Sequence, residues 1–346
     1  MSDILLEVRN LSVHFPTRGG LIRAVDGLDL TLERHKTMCV VGESGSGKSM
    51  TAAAILQLLK KPGRIASGEV LFHHQNGRVV DLVRLKPNSQ EMRAIRGRHI
   101  AMIFQEPMTS MSPVHTIGDQ VSEMILLHEK ITRSEAKIRA IRMLGRVGIP
   151  NPEQRYDAYS FMLSGGMRQR VMIAMALSCN PDLLIADEPT TALDVTMQAN
   201  VLSLMQEIQR EFGISIMLIT HDFGVVAEIA DDVTVMYLGR TVEQGEVHDI
   251  FRAPKHPYTK ALLNSVPRLD SIPGQRLRQI EGMVPSPFNR PEGCPFQTRC
   301  PDVREEPCAG ACPDLLEAGA SRARCYQYDP AYATLWARTE DLEAAK

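Results

Sequence analysis

Neither sign of charge dominates this chain of 346 residues, because 39 lysine and arginine residues stand against 41 aspartate and glutamate residues. A formal net charge of -2 excludes a uniformly basic nucleic-acid binder and a disordered acidic chain as its main character, although local basic patches remain compatible with it. No uncharged apolar run reaches the roughly 18 residues that a membrane-spanning helix requires, and the N-terminal residues lack the apolar segment of a signal peptide. We therefore expect other chains to hold this protein at any membrane where it works.

The apolar content is sufficient for a full core, since 44% of the residues are hydrophobic. At roughly 150 residues per domain, the length predicts about two domains, or one large α/β domain with appendages. Short, continuous apolar runs are typical of strands buried on both faces of a parallel sheet. Such runs lie at Met38–Val41, His99–Phe104, Leu183–Asp187, Ile214–Thr220 and Val233–Leu238. Helices are predicted between them at Ser49–Lys60, Gly166–Ser178 and Thr196–Phe212.

Three segments depart from this alternation of strands and helices. Polar and apolar residues alternate through the first 35 residues, which predicts an antiparallel edge layer. A helical insert is expected over about residues 106–165, where Thr132–Glu135 forms a capping box. From residue 264 onward, proline, glycine, arginine and cysteine increase and periodicity fades. We therefore predict a main domain over residues 1–263 and a loop-rich C-terminal extension over residues 264–346.

A glycine-rich loop directly follows the first of the buried strands. Its sequence over Gly42–Ser49 matches G-x-x-x-x-G-K-[ST] between a strand and a helix, which is the context that makes such a match specific. Backbone N–H groups and the positive end of the helix dipole can bind a polyphosphate, Lys48 can reach the β- and γ-phosphates, and Ser49 can ligate Mg²⁺. A plain Gly/Ser surface turn is the alternative, and the flanking elements disfavour it. The predicted nucleotide-binding residues here are Gly42, Glu43, Ser44, Gly45, Ser46, Gly47, Lys48, Ser49 and Met50.

Two adjacent carboxylates end the buried strand Leu183–Asp187. In α/β sheets the carboxyl ends of the strands carry the ligands. Asp187 suits Mg²⁺ coordination, and Glu188 suits polarisation of an attacking water. Alone, such a pair is more often two exposed acids at the end of a strand. The phosphate-loop match makes the functional interpretation the better one.

Further polar groups are expected near the same edge of the sheet. Gln105 follows the run that ends at Phe104, and His221 follows Ile214–Thr220, so both are candidates to sense the γ-phosphate and the water. A single Gln or His in a loop is more often only solvated, and it is their position that favours a role. A second anion-binding motif, formed by Ser164, Gly165 and Gly166, begins another helix. One chain rarely needs two such motifs for one γ-phosphate.

The chain resembles the ATP-binding-cassette (ABC) ATPases in an ordered set of motifs over roughly residues 5–325. The motifs are the Walker A loop Gly42–Ser49, the Q-loop Gln105, the signature Leu163–Met167, the Walker B strand Leu183–Glu188, the D-loop Ala192–Asp194 and the H-loop His221. The resemblance implies an α/β P-loop NTPase fold with an antiparallel β subdomain, a helical subdomain and a C-terminal extension.

The resemblance also implies roles for individual residues. The catalytic group would comprise Glu188, His221, Gln105 and Lys48. Mg²⁺ would be held by Ser49, Gln105 and Asp187. Asp194 would belong to the nucleotide site, and Phe15 would stack on adenine, although an aromatic residue on an edge strand more often only packs.

In this family two cassettes associate head to tail, so that the signature of one closes over the ATP bound by the other. Such a dimer would explain the two anion-binding motifs. The strings Phe104–Pro113, Leu163–Arg170, Asp187–Asp194 and His256–Leu263 are similar to those of oligopeptide and dipeptide importers. The resemblance thus implies a peptide importer's ATPase subunit at the cytoplasmic face of the inner membrane, with a second ATPase as heterodimer partner, two transmembrane permeases, an extracytoplasmic binding protein and no nucleic acid. The region Met108–Ile125 would be the docking surface for a permease helix.

Five of the seven cysteines lie within residues 294–325. Without an export signal, a reducing compartment favours metal ligation over disulfides. The spacing of Cys294, Cys300, Cys308 and Cys325 is similar to a pattern that binds a [4Fe–4S] cluster in some peptide-importer ATPases, which would leave Cys312 spare. Because no Cys-x-x-Cys pair occurs among them, a zinc ribbon is less well supported, and unliganded thiols remain an alternative.

Two rival classes share part of this pattern. A non-transport cassette ATPase acting on nucleic acid or ribosomes would carry the same catalytic motifs, but such proteins usually have two cassettes in one chain or a long coiled-coil arm, and neither is evident in this sequence. A metal-binding regulatory module with a vestigial ATPase fits less well, because no catalytic residue is missing. The signature departs from the family pattern in Met167, which stands where Gln is usual, and in the apolar lead-in Ser160–Met162.

Overall fold

The computed structural model describes residues 3–105, 110–191, 193–266 and 279–336. Its central sheet contains the strands β3 (Thr37–Val41), β6 (Ile100–Ile103), β7 (Leu183–Asp187), β8 (Ser215–Ile219), β9 (Asp232–Tyr237), β10 (Arg240–Glu246), β11 (Leu316–Ala318) and β12 (Ser321–Ala323). Their order is β11-β12-β10-β9-β3-β8-β7-β6. Strands β9, β3, β8, β7 and β6 pair in parallel, as their continuous apolar sequences predict. The carboxyl ends of these strands therefore meet at one edge.

A second, smaller sheet confirms the predicted antiparallel layer. It consists of β1 (Ile4–Thr17), β2 (Gly20–Glu33), β4 (Arg64–His73) and β5 (Val79–Asp81), in the order β2-β1-β4-β5. Its apolar face shares a core with helix α1 (Lys48–Ile55) and with one face of the central sheet. Helix α1 ends earlier than the predicted Lys60, because Gln57 adopts a left-handed backbone with φ 50° that cannot continue the helix. Helix α2 (Gln90–Ile95) follows, capped by Ser89.

A group of helices confirms the predicted helical subdomain, whereas its bounds at about residues 106 and 165 stay a prediction. It contains α3 (Ile117–His128), α4 (Arg133–Arg146), α5 (Pro152–Tyr156) and the first part of α6 (Gly165–Leu177). Thr132 and Glu135 form the predicted capping box at the start of α4, and Ala136, Ala140 and Leu144 are buried on one face. Residues 106–109, which include Met108 of the predicted docking surface, and Ala192 of the predicted D-loop lie outside the described residues.

The remaining helices flank the central sheet. They are α7 (Val195–Phe212), α8 (Phe223–Ile229), α9 (Val247–Arg252), α10 (Pro257–Ser265) and the short α11 (Glu305–Cys308). Helix α7 ends where predicted, at Gly213, whose φ of 62° provides the left-handed C-cap. Within the four described ranges, none of the helices combines the length and the apolar character that crossing a bilayer demands.

The C-terminal extension packs directly on the central sheet. Strand β12 pairs with β10 through Glu243 and Gln244, and β11 pairs with β12, so these strands form one edge of the sheet. Phe296 is buried, and its ring lies 5.3 Å from the rings of both Tyr237 and Tyr258. The described part of the extension is therefore attached by both hydrogen bonds and apolar contacts. The boundary between residues 263 and 264 stays a prediction.

Candidate nucleotide-binding site

The glycine-rich loop lies between β3 and α1, and its glycines are required by its shape. Gly42, Gly45 and Gly47 have φ values of 150°, 80° and 100°. A Cβ atom on Gly42 would lie 2.2 Å from the carbonyl oxygen of Met236, and one on Gly47 would lie 2.4 Å from that of Ala24. Residues with a Cβ atom would therefore clash or strain the loop. Because the glycines have no side chains, the N–H groups of the loop can approach an anion.

Lys48 is held within this loop. Its Nζ donates to the carbonyl oxygens of Gly42 at 2.7 Å and Glu43 at 3.1 Å, and it lies 3.4 Å from the Ser46 Oγ. Burial lowers the pKa of the Lys48 ammonium, although Glu188 and Asp187 act in the opposite direction. The cation is thus placed at the position where a polyphosphate would bind.

Ser49 and Asp187 form the polar pair expected for a divalent cation. The Ser49 Oγ donates to the Asp187 Oδ1 at 3.0 Å, although the two residues lie on different elements, α1 and β7. Asp187 is buried, and burial raises the pKa of its carboxyl, with a further contribution from the negative charge of Glu188. Hydroxyl and carboxylate oxygens are the ligands that Mg²⁺ prefers, so a bound cation would relieve the cost of this buried acid.

Glu188 contacts three polar side chains. Its Oε2 accepts from the Gln105 Nε2 at 2.9 Å and the Thr191 Oγ1 at 3.0 Å, and its Oε1 lies 3.4 Å from the His221 Nδ1. Burial alone would raise the pKa of this carboxyl, but the hydrogen bonds of Thr191, His221 and Gln105 and the charge of His221 together lower it. Glu188 is therefore an ionised proton acceptor at the sheet edge. Sequence reasoning missed Thr191, which the Asp187–Asp194 string contains.

A cavity of about 370 Å³ opens over these groups. Part of its wall was not predicted from the sequence: Ile22 to Ala24 on β2, and Pro287 and Arg290 of the C-terminal extension. The Arg290 Nη1 donates to the Asp26 Oδ2 at 3.0 Å, whereas its buried Nη2 has no hydrogen-bond partner in the part of the chain that the structure describes. The lining residues of this cavity that sequence reasoning predicted are Ser44, Gly45, Ser46, Gly47, Lys48, Ser49, Met50, Gln105 and Glu188.

Several predicted residues lie away from this cavity wall. Phe15 on β1 packs near Gly63, where an added Cβ would lie 2.4 Å from the Phe15 ring, so its stacking on adenine stays a prediction. Ser164 caps α6 by accepting from the Met167 N–H at 3.4 Å, and an added Cβ on Gly165 would meet open space. Asp194 caps α7. The signature Ser164–Gly166 therefore does not join the phosphate loop within one chain.

Four of the cysteines line one small cavity in the C-terminal extension. Cys294, Cys300, Cys308 and Cys325 contribute to its wall, and the Cys294 N–H donates to the Cys308 carbonyl oxygen at 2.8 Å. All seven cysteines are free thiols, and burial raises the pKa of both Cys294 and Cys300 to about 12. Across the described ranges, no three His, Cys, Asp or Glu side chains are close enough to hold a single metal ion. The four thiols therefore share a cavity wall, and the identity of any metal they hold stays a prediction.

Comparisons with known proteins agree with this geometry. Residues 25–191 match the family model described as ABC transporter, and residues 242–308 match the one described as oligopeptide/dipeptide transporter, C-terminal region. The chain is 51% identical to the dipeptide transport ATP-binding protein DppD of Bacillus subtilis over 299 residues. This aligned region covers 86% of this chain and 87% of that protein. It is 49% identical over 304 residues to the oligopeptide transport ATP-binding protein OppD of Salmonella typhimurium, covering 88% of each.

Solved structures share the same fold. The dimeric ATP-binding cassette MJ0796 in a post-hydrolysis state with ADP and Pi superposes with a TM-score of 0.61 at 24% identity, covering 70% of this chain and 99% of that one. The protein cbiO1 from Clostridium perfringens, part of the transporter complex cbiONQ, superposes with a TM-score of 0.59 at 29% identity, covering 73% of this chain and 92% of that one.

Proposed function

Because this chain belongs to the ABC transporter ATPases, in their oligopeptide/dipeptide branch, we propose that it hydrolyses MgATP at the site on Gly42–Met50 to drive peptide import. The observation that carries the proposal is the convergence of three groups at one cavity. These are the Lys48 ammonium, the Ser49–Asp187 pair and the ionised Glu188. Peptide as the cargo rests on the names of the relatives, DppD and OppD.

Each of these groups has a defined task in the proposed reaction. Lys48 exchanges its bonds to loop carbonyls for bonds to the β- and γ-phosphate oxygens. Ser49 and Asp187, with Gln105, would hold Mg²⁺, which would supply positive charge close to the phosphate oxygens. Glu188 accepts a proton from the attacking water. His221, next to Glu188, donates to the γ-phosphate.

A second ATPase completes the proposed site. The exposed Ser164 at the start of α6 and the accessible backbone of Gly165 form an anion-binding helix end that lies apart from the cavity of its own chain. A related cassette, associated head to tail, would receive this signature over its own ATP and supply its signature in return. Dimerisation of the related cassette MJ0796 supports the arrangement.

An apolar groove supports the proposed contact with permeases. Strand β6 and the residues after it, up to Phe104, line this groove together with Met124 of α3 and Met172 and Met175 of α6. Phe104 is 47% exposed, and it directly precedes Gln105. An apolar cytoplasmic helix of a permease fits such a groove. A movement of that helix would shift Phe104 and, through the chain, the adjacent Gln105. Two permeases and an extracytoplasmic binding protein would place the chain at the cytoplasmic face of the inner membrane.

The four cysteines around the small cavity are proposed to hold a [4Fe–4S] cluster. Cysteine sulfur is the donor that such clusters require, and four cysteine thiols share one cavity wall. Anaerobic purification should then give brown protein that absorbs near ~400 nm, with Cys325→Ser losing the colour and Cys312→Ser keeping it. Colourless protein, or protein containing zinc instead of iron, would contradict the cluster.

The experiment that tests the transport function uses the assembled complex. The chain is reconstituted in vesicles with its two permeases and second ATPase, and ATP-dependent uptake of a labelled peptide supplied with the binding protein is measured. We expect uptake with the unmodified chain and none with Glu188→Gln. ATP hydrolysis that proceeds without uptake, and that RNA or ribosomes stimulate, would instead support a non-transport cassette.

A further inference from the structure

The second residue of the phosphate loop faces away from the nucleotide cavity and toward the C-terminal extension. Glu43 is absent from the wall of the nucleotide cavity, whereas its neighbours from Ser44 to Met50 form that wall. Its carboxylate instead accepts two hydrogen bonds from Arg299, from Nη1 at 2.7 Å and from Nη2 at 3.1 Å. The Glu43 side chain therefore performs a task other than binding the nucleotide directly.

Arg299 is a buried partner of the loop and is fixed by several hydrogen bonds. Its side chain is only 3% exposed, its Nε donates to the Glu281 carbonyl oxygen, and its Nη1 also reaches the Tyr237 hydroxyl. The hydrogen bonds with Glu43 raise the pKa of the Arg299 guanidinium, so the pair stays charged. Bidentate pairing of a planar guanidinium with a carboxylate fixes orientation as well as distance.

The same loop residue is also held through its backbone. The Glu43 N–H donates to the Tyr258 hydroxyl at 2.9 Å, and the Glu43 carbonyl oxygen accepts from the Lys48 Nζ at 3.1 Å and the Ser46 N–H at 3.1 Å. A movement of Glu43 would therefore move one of the two carbonyl oxygens that hold the Lys48 ammonium. Arg299 and Lys48 are connected through this single residue.

Arg299 belongs to the cysteine-bearing loop itself. It directly precedes Cys300, its N–H donates to the Phe296 carbonyl oxygen at 2.9 Å, and the Gln297 N–H donates to that of Cys294 at 3.0 Å. Both Cys294 and Cys300 line the cysteine cavity. The side chain that holds the phosphate loop is thus built into the turn between two cysteines.

From these contacts we infer that Arg299 is a positioning residue that orders the phosphate loop through Glu43, and that the cysteine-bearing loop thereby sets the affinity for ATP. The inference rests on the proposed nucleotide site. It assigns to the extension a direct effect on ATP binding in its own chain, separate from any contact with the permeases.

The first test measures the dissociation constant for ATP of the full-length chain. Arg299→Gln should weaken ATP binding roughly tenfold, about 1.4 kcal/mol, while Arg299→Lys, which keeps the charge but not the fork, should recover part of the loss. Glu43→Gln should also weaken ATP binding. The double variant Glu43→Gln/Arg299→Gln should bind ATP no more weakly than whichever single variant binds ATP less well. Arg322→Gln, which removes an exposed ion pair with Glu317 in the same extension, is the matched control and should bind normally.

The second test joins the cysteine loop to the phosphate loop. Cys300→Ser should weaken ATP binding when Arg299 is present and have no further effect in Arg299→Gln. Normal ATP affinity in Arg299→Gln, or independent and additive losses from Cys300→Ser and Arg299→Gln, would overturn the inference. Lys48→Ala separates this failure from failure of the site, because ATP binding that survives Lys48→Ala would refute the nucleotide site itself.

Discussion

Glu188 is ionised and also held in an unusual backbone conformation. Its φ of 48° lies in the left-handed region that residues with a Cβ seldom adopt, and its N–H donates to the Ile219 carbonyl oxygen at 2.9 Å. Such a conformation costs on the order of 1–3 kcal/mol unless the surrounding structure enforces it. The backbone hydrogen bond to Ile219 anchors Glu188, and the hydrogen bonds from Gln105 and Thr191 orient its carboxylate.

Replacing Glu188 with Gln should separate binding from turnover. The amide keeps the size of the side chain but cannot accept the proton, so we expect ATP hydrolysis to fall by at least ~100-fold with little change in ATP affinity. Steady-state hydrolysis by the assembled complex and equilibrium binding of ATP measure the two effects. Glu228→Gln on the exposed face of α8 is the matched control, and near-normal hydrolysis by Glu188→Gln would remove Glu188 from its role.

Replacing Lys48 with Ala should abolish detectable ATP affinity. The substitution removes the ammonium that contacts the loop carbonyls of Gly42 and Glu43 and that would bind the phosphates. Titration of the full-length chain with ATP in the presence of Mg²⁺ measures the loss. Lys130→Ala, an exposed lysine between α3 and α4, should bind ATP normally, and retained affinity in Lys48→Ala would disprove the loop assignment.

The residues predicted from the sequence lie in contiguous motifs, whereas the residues found only in the structure make contacts with distant parts of the chain. The phosphate loop and the Walker B acids are contiguous strings whose chemistry follows from spacing, and both line the cavity or flank it as expected. Arg290 and Arg299 come from a segment of weak periodicity and meet Asp26 and Glu43 across 264 and 256 residues. No spacing rule links positions so far apart, because tertiary packing alone brings them together.

At the scale of elements, helix α4 shows how a local signal determines a boundary. The Thr132 Oγ1 accepts from the Glu135 N–H at 3.2 Å, and the Glu135 carboxylate accepts from the Thr132 N–H at 2.8 Å. Helix α1 is the counterexample, since the sequence predicted its end at Lys60 and the helix stops at Ile55. The capping box is a pair of bonds within four residues, whereas the end of α1 depends on Gln57, whose amide donates to carbonyls of Leu82 and Leu85.

Removing the cap should loosen α4 locally. Thr132→Ala leaves the first-turn N–H groups without their acceptor, and we expect a loss of about 1 kcal/mol in the stability of this helix. Faster amide hydrogen exchange in the first turns of α4 would report it. Ser134→Ala, exposed and one position inside the helix, should not speed exchange, and equal exchange in both variants would contradict the assignment.

At the scale of the whole molecule, Asp26 connects three distant parts of the chain. It lies on β2, and its Oδ2 accepts from the Arg240 Nη2 at 2.6 Å and from the Arg290 Nη1 at 3.0 Å. Burial alone would raise the pKa of this carboxyl, but the charges of Arg240 and Arg290 more than offset it and lower the pKa. The antiparallel layer, the central sheet and the extension therefore share one carboxylate.

This carboxylate should make stability depend on acidity. Because its pKa is lower in the folded chain than in the unfolded one, its stabilising effect is complete above the unfolded value near ~3.9 and is lost as pH falls through the folded value. Asp26→Asn should be less stable at neutral pH and should lose less stability between pH ~5 and ~3 than the unmodified chain. Urea denaturation at several pH values measures the two slopes, and parallel slopes would exclude a contribution from Asp26.

The order in which the chain is synthesised matters for the central sheet. Strand β10 gains its second neighbour only from Ser321–Ala323, some eighty residues further along the chain. During translation the N–H and C=O groups along that side of β10 stay unpaired until these residues have left the ribosome, and unpaired strand edges promote association between chains. Growing polypeptides of this protein therefore expose this strand edge while the roughly eighty residues that follow β10 are synthesised, and an unpaired edge favours pairing with another chain until β12 covers it.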